Sequence, residues 1–186
     1  MSPPATIACP RLLLRRWSVV EAPLMRAAID RSDAHLRPWI PFMRDEPRTP
    51  EQTRERVAEF VDHFEAGTAY RYAVWLGTDD DASTLVGEVM LLARQGPRAL
   101  ELGYWFHVDH GGRGYASEAA RALVDRAFAG DFGEIERIVI CCDVDNGPSN
   151  AVARKLGAEI AGQERVETVA GDGETTLNRW ALTAGP

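Results

Sequence analysis

The chain has 186 residues, 45% hydrophobic and 26% charged, the proportions of a globular domain with a sizeable core and not of a disordered segment. Lys and Arg number 21 against 28 Asp and Glu, a formal charge of −7. An acidic chain without a basic run is a poor partner for a nucleic-acid backbone and suits a cationic ligand such as an amine.

Lys155 is the one lysine among the basic residues, which reads as genome composition bias. The cysteines are Cys9, Cys141 and Cys142. The adjacent pair points to opposite faces of a strand and cannot bridge, and no spacing suits zinc. They read as small core residues in a reducing compartment. The histidines His35, His63, His107 and His110 form neither a metal set nor a triad. No apolar run approaches the ~18 residues of a membrane span, and the N-terminal stretch has no signal-peptide core. The expectation is a cytoplasmic protein with no membrane, nucleic-acid or metal partner.

In chain order, Arg11 to Trp17 reads as a strand, and Ser18-Val-Val-Glu21 is a capping box opening a helix to about Arg31. From Asp33 to Pro50 the density of prolines predicts a structured loop. Thr49-Pro50-Glu51-Gln52 opens a second helix, with Val57, Ala58, Val61 and Phe64 on its apolar face and Gly67 at its stop. Three strands follow, Tyr70–Leu76, Leu85–Ala93 and Ala99–Val108, turning at Asp79-Asp80-Asp81 and Gln95-Gly96-Pro97 as an antiparallel meander. Ala116 to Phe128 has helical period, and Glu136 to Val144 reads as a strand covered on both faces. A short helix runs from about Pro148 to Leu156, followed by strands near Ala158–Val169 and Thr175–Leu182. The order βααβββαβαββ predicts one domain over residues 1–186. Its fold class is mixed α/β (α+β), with about seven mostly antiparallel strands and about four helices.

Gly111-Gly112-Arg113-Gly114-Tyr115-Ala116-Ser117-Glu118 leaves a strand and opens a helix. Unpaired amides at such a helix start, with the positive dipole end, make an anion site, although a plain glycine turn would read the same way. There is no Gly-Lys-Ser/Thr for a nucleoside triphosphate loop, and the preceding strand ends a meander and not the βαβ unit of a dinucleotide fold.

This stretch resembles the acetyl-CoA loop of the GNAT N-acetyltransferases, Gln/Arg-x-x-Gly-x-Gly/Ala, with Gly114 and Ala116 in its last two defined places. The branch it resembles is RimJ/RimL. Glu101-Leu-Gly-Tyr-Trp105, Gly112 to Glu118, Arg137, Asn146-Gly-Pro-Ser149-Asn and Arg154-Lys-Leu-Gly157 match that branch. Arg11-Leu-Leu-Leu-Arg15 and Arg37-Pro-Trp39 do so too. Gly111 stands where the family motif opens with Gln or Arg. Binding is expected to survive, since backbone amides are the main holders of the pyrophosphate.

The resemblance implies a twisted sheet with splayed central strands, acetyl-CoA as cosubstrate, and transfer to a primary amine by direct attack in a ternary complex. The acceptor would be a protein or peptide N-terminus, or a small amine such as an antibiotic. A non-catalytic acyl-CoA sensor is the rival from another class, and homodimers occur in the branch. It also implies the sites. Phe106, His107 and Val108 would offer an edge to the pantetheine arm. Gly112, Arg113, Gly114, Tyr115, Ala116 and Ser117 would hold the pyrophosphate, and an amide near His107 or Val108 would meet the oxyanion. Asn146 would contact the arm or cap a helix. Ser149 would protonate the leaving thiolate or satisfy a helix start. Glu101 would be the base, with Glu88 second, though each could be an ordinary strand residue. The loop Asp33 to Arg48 would wall the acceptor site, with Trp39 and Phe42 lining it and Asp33, Asp45 and Glu46 favouring a cation, or Trp39 could simply pack over the sheet.

Overall fold

The computed structural model describes residues 3–79 and 82–185. The predicted turn at Asp79-Asp80-Asp81 lies partly outside them, and Ala82 N–H closes back on the Asp79 carbonyl at 3.1 Å. The strands are β1 (Thr6–Ala8), β2 (Leu12–Arg16), β3 (Ala69–Leu76), β4 (Thr84–Leu92), β5 (Ala99–Phe106), β6 (Arg137–Asp143), β7 (Glu159–Glu167) and β8 (Glu174–Thr183). The helices are α1 (Ala22–Leu36), α2 (Pro50–Glu65), α3 (Tyr115–Phe128) and α4 (Gly147–Lys155).

The strands form one sheet in the order β1-β2-β3-β4-β5-β6-β8-β7. Every pairing is antiparallel except β5 with β6. That parallel pair needs a crossover, which α3 supplies. Two cores lie on opposite faces. Leu100, Leu102, Leu123, Val124, Ile138 and Ile140 pack with α3 and α4. Trp75, Met90, Trp105, Met25, Ile29 and Val57 pack with α1 and α2. Strand alternation makes the division: on β5, Leu100 and Leu102 face α3 while Trp105 faces the other way.

The sheet has eight strands, one more than the sequence reading. The additional β1 has only three residues, too few for a period-two pattern to register. The first helix runs to Leu36, past the expected end at Arg31, because no breaker intervenes before Pro38. Asp33 is therefore a helical residue, ion-paired with Arg37 one turn on. Thr49 caps α2 as predicted: its Oγ1 accepts from the Gln52 amide at 3.2 Å, and Thr49 N–H donates to Gln52 Oε1 at 2.9 Å. Among the described residues no helix is long and apolar enough to cross a membrane.

Candidate active site

The sheet opens at its centre. β5 and β6 pair only over Ala99–Glu101 against Arg137–Val139. β5 continues to Phe106 and β6 to Asp143, so the later residues of each strand face a gap. α3 begins at the same end. Gly114, its N-cap, has φ +81°, and Gly112 has φ +74°, left-handed conformations that glycine adopts without strain. The amides of Tyr115, Ala116 and Ser117 lie in the first turn, where no helical carbonyl can reach them. These residues line a hollow of about 220 Å³ together with residues 111–114, Phe106, His110, Pro148, Ala151, Val152 and Lys155. A wider hollow of about 300 Å³, beside Gly157, Ile160 and Thr183, lies away from these groups.

The glycine turn is held from outside by Arg11. Glu118 accepts from both the Arg11 amide and its Nε at 2.7 Å, and Arg11 Nη1 donates to the Arg113 carbonyl at 3.1 Å. The guanidinium also lies 4.8 Å from the Tyr115 ring centroid. Arg11 was legible as part of a motif, but this tether across the sheet was not.

Of the expected free edge, only Phe106 belongs to the strand and lines the hollow. His107 N–H donates to the Val86 carbonyl at 2.9 Å, and Val108 N–H donates to Ser32 Oγ at 3.1 Å. Neither amide is free for an oxyanion in this conformation, because the chain bends there into a short 3-10 turn, Val108–His110. The unpaired edge facing β6 is Leu102–Phe106 instead.

Across the gap, Asn146 caps α4, its Oδ1 accepting from Ser149 N–H at 3.1 Å. Ser149 Oγ lies 2.8 Å from Tyr104 Oη, so a phenol on β5 meets the hydroxyl at the start of α4. Burial pushes the Tyr104 phenol well above its ordinary value, with the Ser149 bond pulling the other way. It is a neutral O–H donor at physiological pH. Beneath them the buried Asn150 knots three elements together. Its amide donates to the Asp143 and Asn146 carbonyls at 2.8 Å, while its Oδ1 accepts from Asn178 at 2.8 Å and Trp180 at 3.0 Å. Burial raises both the Cys141 and the Cys142 thiol pKa. Neither is a thiolate nucleophile at neutral pH.

The other face carries the carboxylates. Glu101, the last paired residue before the gap, shares the side of Trp105 by alternation. Both of its oxygens are occupied, by Arg94 (Nε at 2.9 Å, Nη2 as the second contact) and by Gln95 Nε2 at 2.6 Å. Glu88 is enclosed, 1% exposed, accepting from Arg71 at 2.6 Å and from Trp17 Nε1 at 3.1 Å. It is part of the packing under α2 and not a group open to a ligand. Asp33 is half-buried on α1, and Arg37 holds its carboxyl below the usual range.

The segment between α1 and α2 carries Trp39 and Phe42. Trp39 is 36% exposed, and Phe42 lies under the Arg56 guanidinium at 3.9 Å. Arg44 Nε donates to the Val169 carbonyl at 2.8 Å, with Nη2 on the Thr168 carbonyl, so the segment reaches the β7–β8 hairpin. The structure therefore brings the glycine turn, Phe106, Tyr104 and Ser149 to one side of the opening and Glu101 to the other. It leaves Glu88 and Asp33 engaged elsewhere.

Residues 11–159 match the family described as acetyltransferase (GNAT) domain. The chain belongs to the GNAT acetyltransferase family. Among curated relatives, the ribosomal-protein-serine acetyltransferase of Escherichia coli is 31% identical over 77% of this chain and 74% of its own. An N-acetyltransferase of Bacillus subtilis, YnaD, is 30% identical over 59% of this chain, the match spanning 62% of the length of that relative. Among solved structures, RimL, a ribosomal alpha-N-protein acetyltransferase in complex with coenzyme A, superposes with TM-score 0.83 at 26% identity, covering 96% of this chain and 97% of that one. An acetyltransferase of Salmonella typhimurium that modifies the N-terminal serine of a ribosomal protein gives 0.79 at 25%, covering 95% and 96%. The GNAT fold accounts for the single parallel pair in an otherwise antiparallel sheet, and the RimJ/RimL resemblance agrees with these relatives.

Proposed function

We propose that this GNAT chain transfers an acetyl group from acetyl-CoA to a primary amine, the N-terminus of a protein being the first candidate acceptor. The observation that carries the reading is the parting of β5 from β6 beside the α3 amides. It leaves a strand edge for an amide-bearing arm and a positive helix end for its phosphates. The GNAT match and the coenzyme A held by the RimL structure support the same donor.

The amine attacks the thioester directly, so no enzyme nucleophile is used, in keeping with the buried, raised cysteines. The reaction needs a deprotonated amine, donors for the oxyanion, and a proton for the departing sulfur. Tyr104 Oη and Ser149 Oγ share a hydrogen bond in which either can donate; with Tyr104 as the donor, the Ser149 proton is left to point at the sulfur. Asn146 fixes Ser149 at the helix start.

Glu101 faces the acceptor side with a guanidinium bound to it. Arg94 is 62% exposed while Glu101 is buried, so the guanidinium can swing into solvent only as another cation takes its place on the carboxylate. The acceptor ammonium replaces Arg94 on Glu101, loses its proton through that carboxylate or a water beside it, and attacks. Trp39 and Phe42, on the segment that Arg44 ties to the β7–β8 hairpin, are the candidates to wall the acceptor side. A small amine is the second reading. A non-catalytic acyl-CoA sensor is the reading to be excluded.

The test sets N-terminal peptides against amine antibiotics, with acetyl-CoA as donor and thiol release as signal. Glu101→Gln and Ser149→Ala should retain coenzyme A binding and lose turnover, whereas Arg94→Ala should lower the acceptor KM. Unchanged turnover in both of the first two variants would remove these assignments.

A further inference from the structure

The two carboxylate oxygens of Glu101 are held differently. Oε1 accepts from Arg94 Nη2, whereas Oε2 accepts from both Arg94 Nε at 2.9 Å and Gln95 Nε2 at 2.6 Å. Gln95 is in turn held from across the sheet, its Oε1 accepting from Arg179 Nη2 at 2.8 Å. Arg179 stands on β8 and Gln95 in the turn between β4 and β5. Their contact therefore crosses β6, beside Cys141, the register partner of Arg179. Glu164 on β7 fixes the far side of the guanidinium, accepting from Nη1 at 3.2 Å.

This relay has one sense. A carboxamide offers an acceptor on one side and donors on the other. Arg179 only donates and an ionised Glu101 only accepts, so a single orientation of Gln95 satisfies both. The reverse would set oxygen against oxygen and N–H against guanidinium. An amide polarised by a cation at its oxygen also donates more strongly from its nitrogen. Arg179 thus orients and strengthens the donor that holds Oε2.

The relay matters once the acceptor ammonium displaces Arg94, which strips both guanidinium contacts from a buried carboxylate. Oε1 is then open to the ammonium, and among the described residues Gln95 is the remaining hydrogen-bond partner of Oε2. Without that partner the carboxylate turns about a broad terminal torsion and loses its aim. The charged and titratable groups facing Glu101 are Arg94 from the turn and Cys141 from β6, with Arg179 and Glu164 one contact beyond.

We propose that Arg179 is a positioning residue for the amine-activating carboxylate, acting through Gln95 to hold Glu101 Oε2 while Oε1 receives the proton of the acceptor. The inference rests on the reading that Glu101 takes that proton. It gives Arg179 no contact with the reacting atoms.

A double-mutant cycle in steady-state acetylation of N-terminal peptides, read by thiol release, tests this. Arg179→Met and Gln95→Leu should each lower kcat about tenfold, the loss of one hydrogen bond to a charged group, with the acetyl-CoA KM at its wild-type value. The double variant should be no slower than Gln95→Leu alone, because Arg179 acts through Gln95. Losing the donor favours the protonated carboxyl, so the acid limb of the kcat profile should move up by about one pH unit in both single variants. Arg179→Lys should recover part of the rate. Glu164→Gln leaves the Gln95 contact in place and should keep the wild-type kcat. Calorimetric unfolding verifies that each variant is folded, and Gln95→Leu, in a turn, reads the relay even if Arg179→Met is not. Additive losses in the cycle, or a wild-type kcat and pH profile in both single variants, would overturn the proposal. Wild-type turnover by Glu101→Gln is a different result, and would overturn the reading of Glu101 on which the relay rests.

Discussion

Replacing Glu46 with Gln tests what holds the proposed acceptor wall in place. Glu46 stands at the end of the segment between α1 and α2, with its side chain 1% exposed. It accepts from Arg26 and from the Arg48 amide at 2.8 Å, and Arg56 Nη1 lies 3.6 Å away. The two arginine side chains are only 11% and 8% exposed. Burial pulls the Arg56 pKa down to about 10, a sign of how poorly that site solvates a cation. Glu46→Gln keeps the shape and removes the charge, leaving two enclosed guanidiniums facing a neutral amide. Breaking a buried pair from one side costs about 3–5 kcal/mol. Arg26 keeps Asp30 at 2.6 Å, so the low end applies. About 3 kcal/mol, at roughly 2–4 °C per kcal/mol for a chain of this size, lowers Tm by roughly 6–12 °C. Calorimetric unfolding reads this, and steady-state kinetics should show the acceptor KM rising with little change for acetyl-CoA, since Trp39 and Phe42 sit on the loosened segment. A Tm within about 2 °C of wild type, with an unchanged acceptor KM, would refute the view that this cluster pins the wall.

Tyr104→Phe removes the hydroxyl hydrogen-bonded to Ser149 Oγ and should lower kcat about threefold to tenfold with the donor KM nearly unchanged, read by steady-state thiol release. Gly114→Ala places a side chain at φ +81°, where the added Cβ meets only Arg11 Nη2 at 3.6 Å, so the penalty is backbone strain. About 1–2 kcal/mol should appear as a Tm loss of roughly 2–8 °C and a higher acetyl-CoA KM. His110 lines the hollow at the start of α3, proposed to take the phosphates, and burial lowers its pKa, with His107 and Arg113 adding to the effect. The unfolded chain therefore takes up that proton first, and the His110 contribution to stability is present at neutral pH and fades as pH falls below the ordinary histidine value. Bound phosphates reverse the sign by favouring the imidazolium, so coenzyme A binding should take up a proton near that pH. Calorimetry in two buffers of different ionisation enthalpy measures the uptake, and His110→Asn should abolish it.

Residues whose role depends on chain-local chemistry were readable in advance. The Thr49 cap, the meander between Ala69 and Phe106, the apolar face of α3 and the glycine turn before it all follow from spacing and from residues suited to turns. What escaped were long-range pairings. Nothing in the spacing indicates that Arg11 would lock onto Glu118, that Tyr104 would meet Ser149 across the gap, or that Asn150 would collect Asn178 and Trp180. Strand polarity put Glu88 and Glu101 on β4 and β5. Only the packed structure distinguishes a carboxylate sealed against Arg71 and Trp17 from one held by an exposed arginine at the opening. His107 and Val108 misled for a local reason, since the strand ends at Phe106 and their amides are taken by Val86 and Ser32.

The central claim is acetyl transfer from acetyl-CoA to an amine. Its most direct measurement is intact-mass analysis of a panel of N-terminal peptides and small amines after incubation with the protein and acetyl-CoA. A single acetyl mass increment is expected on an acceptor amine, stoichiometric with thiol release, and it should be lost in Glu101→Gln. Coenzyme A binding without acetylation of any member of the panel, and with no acceptor-dependent thiol release, would contradict it and favour a sensor.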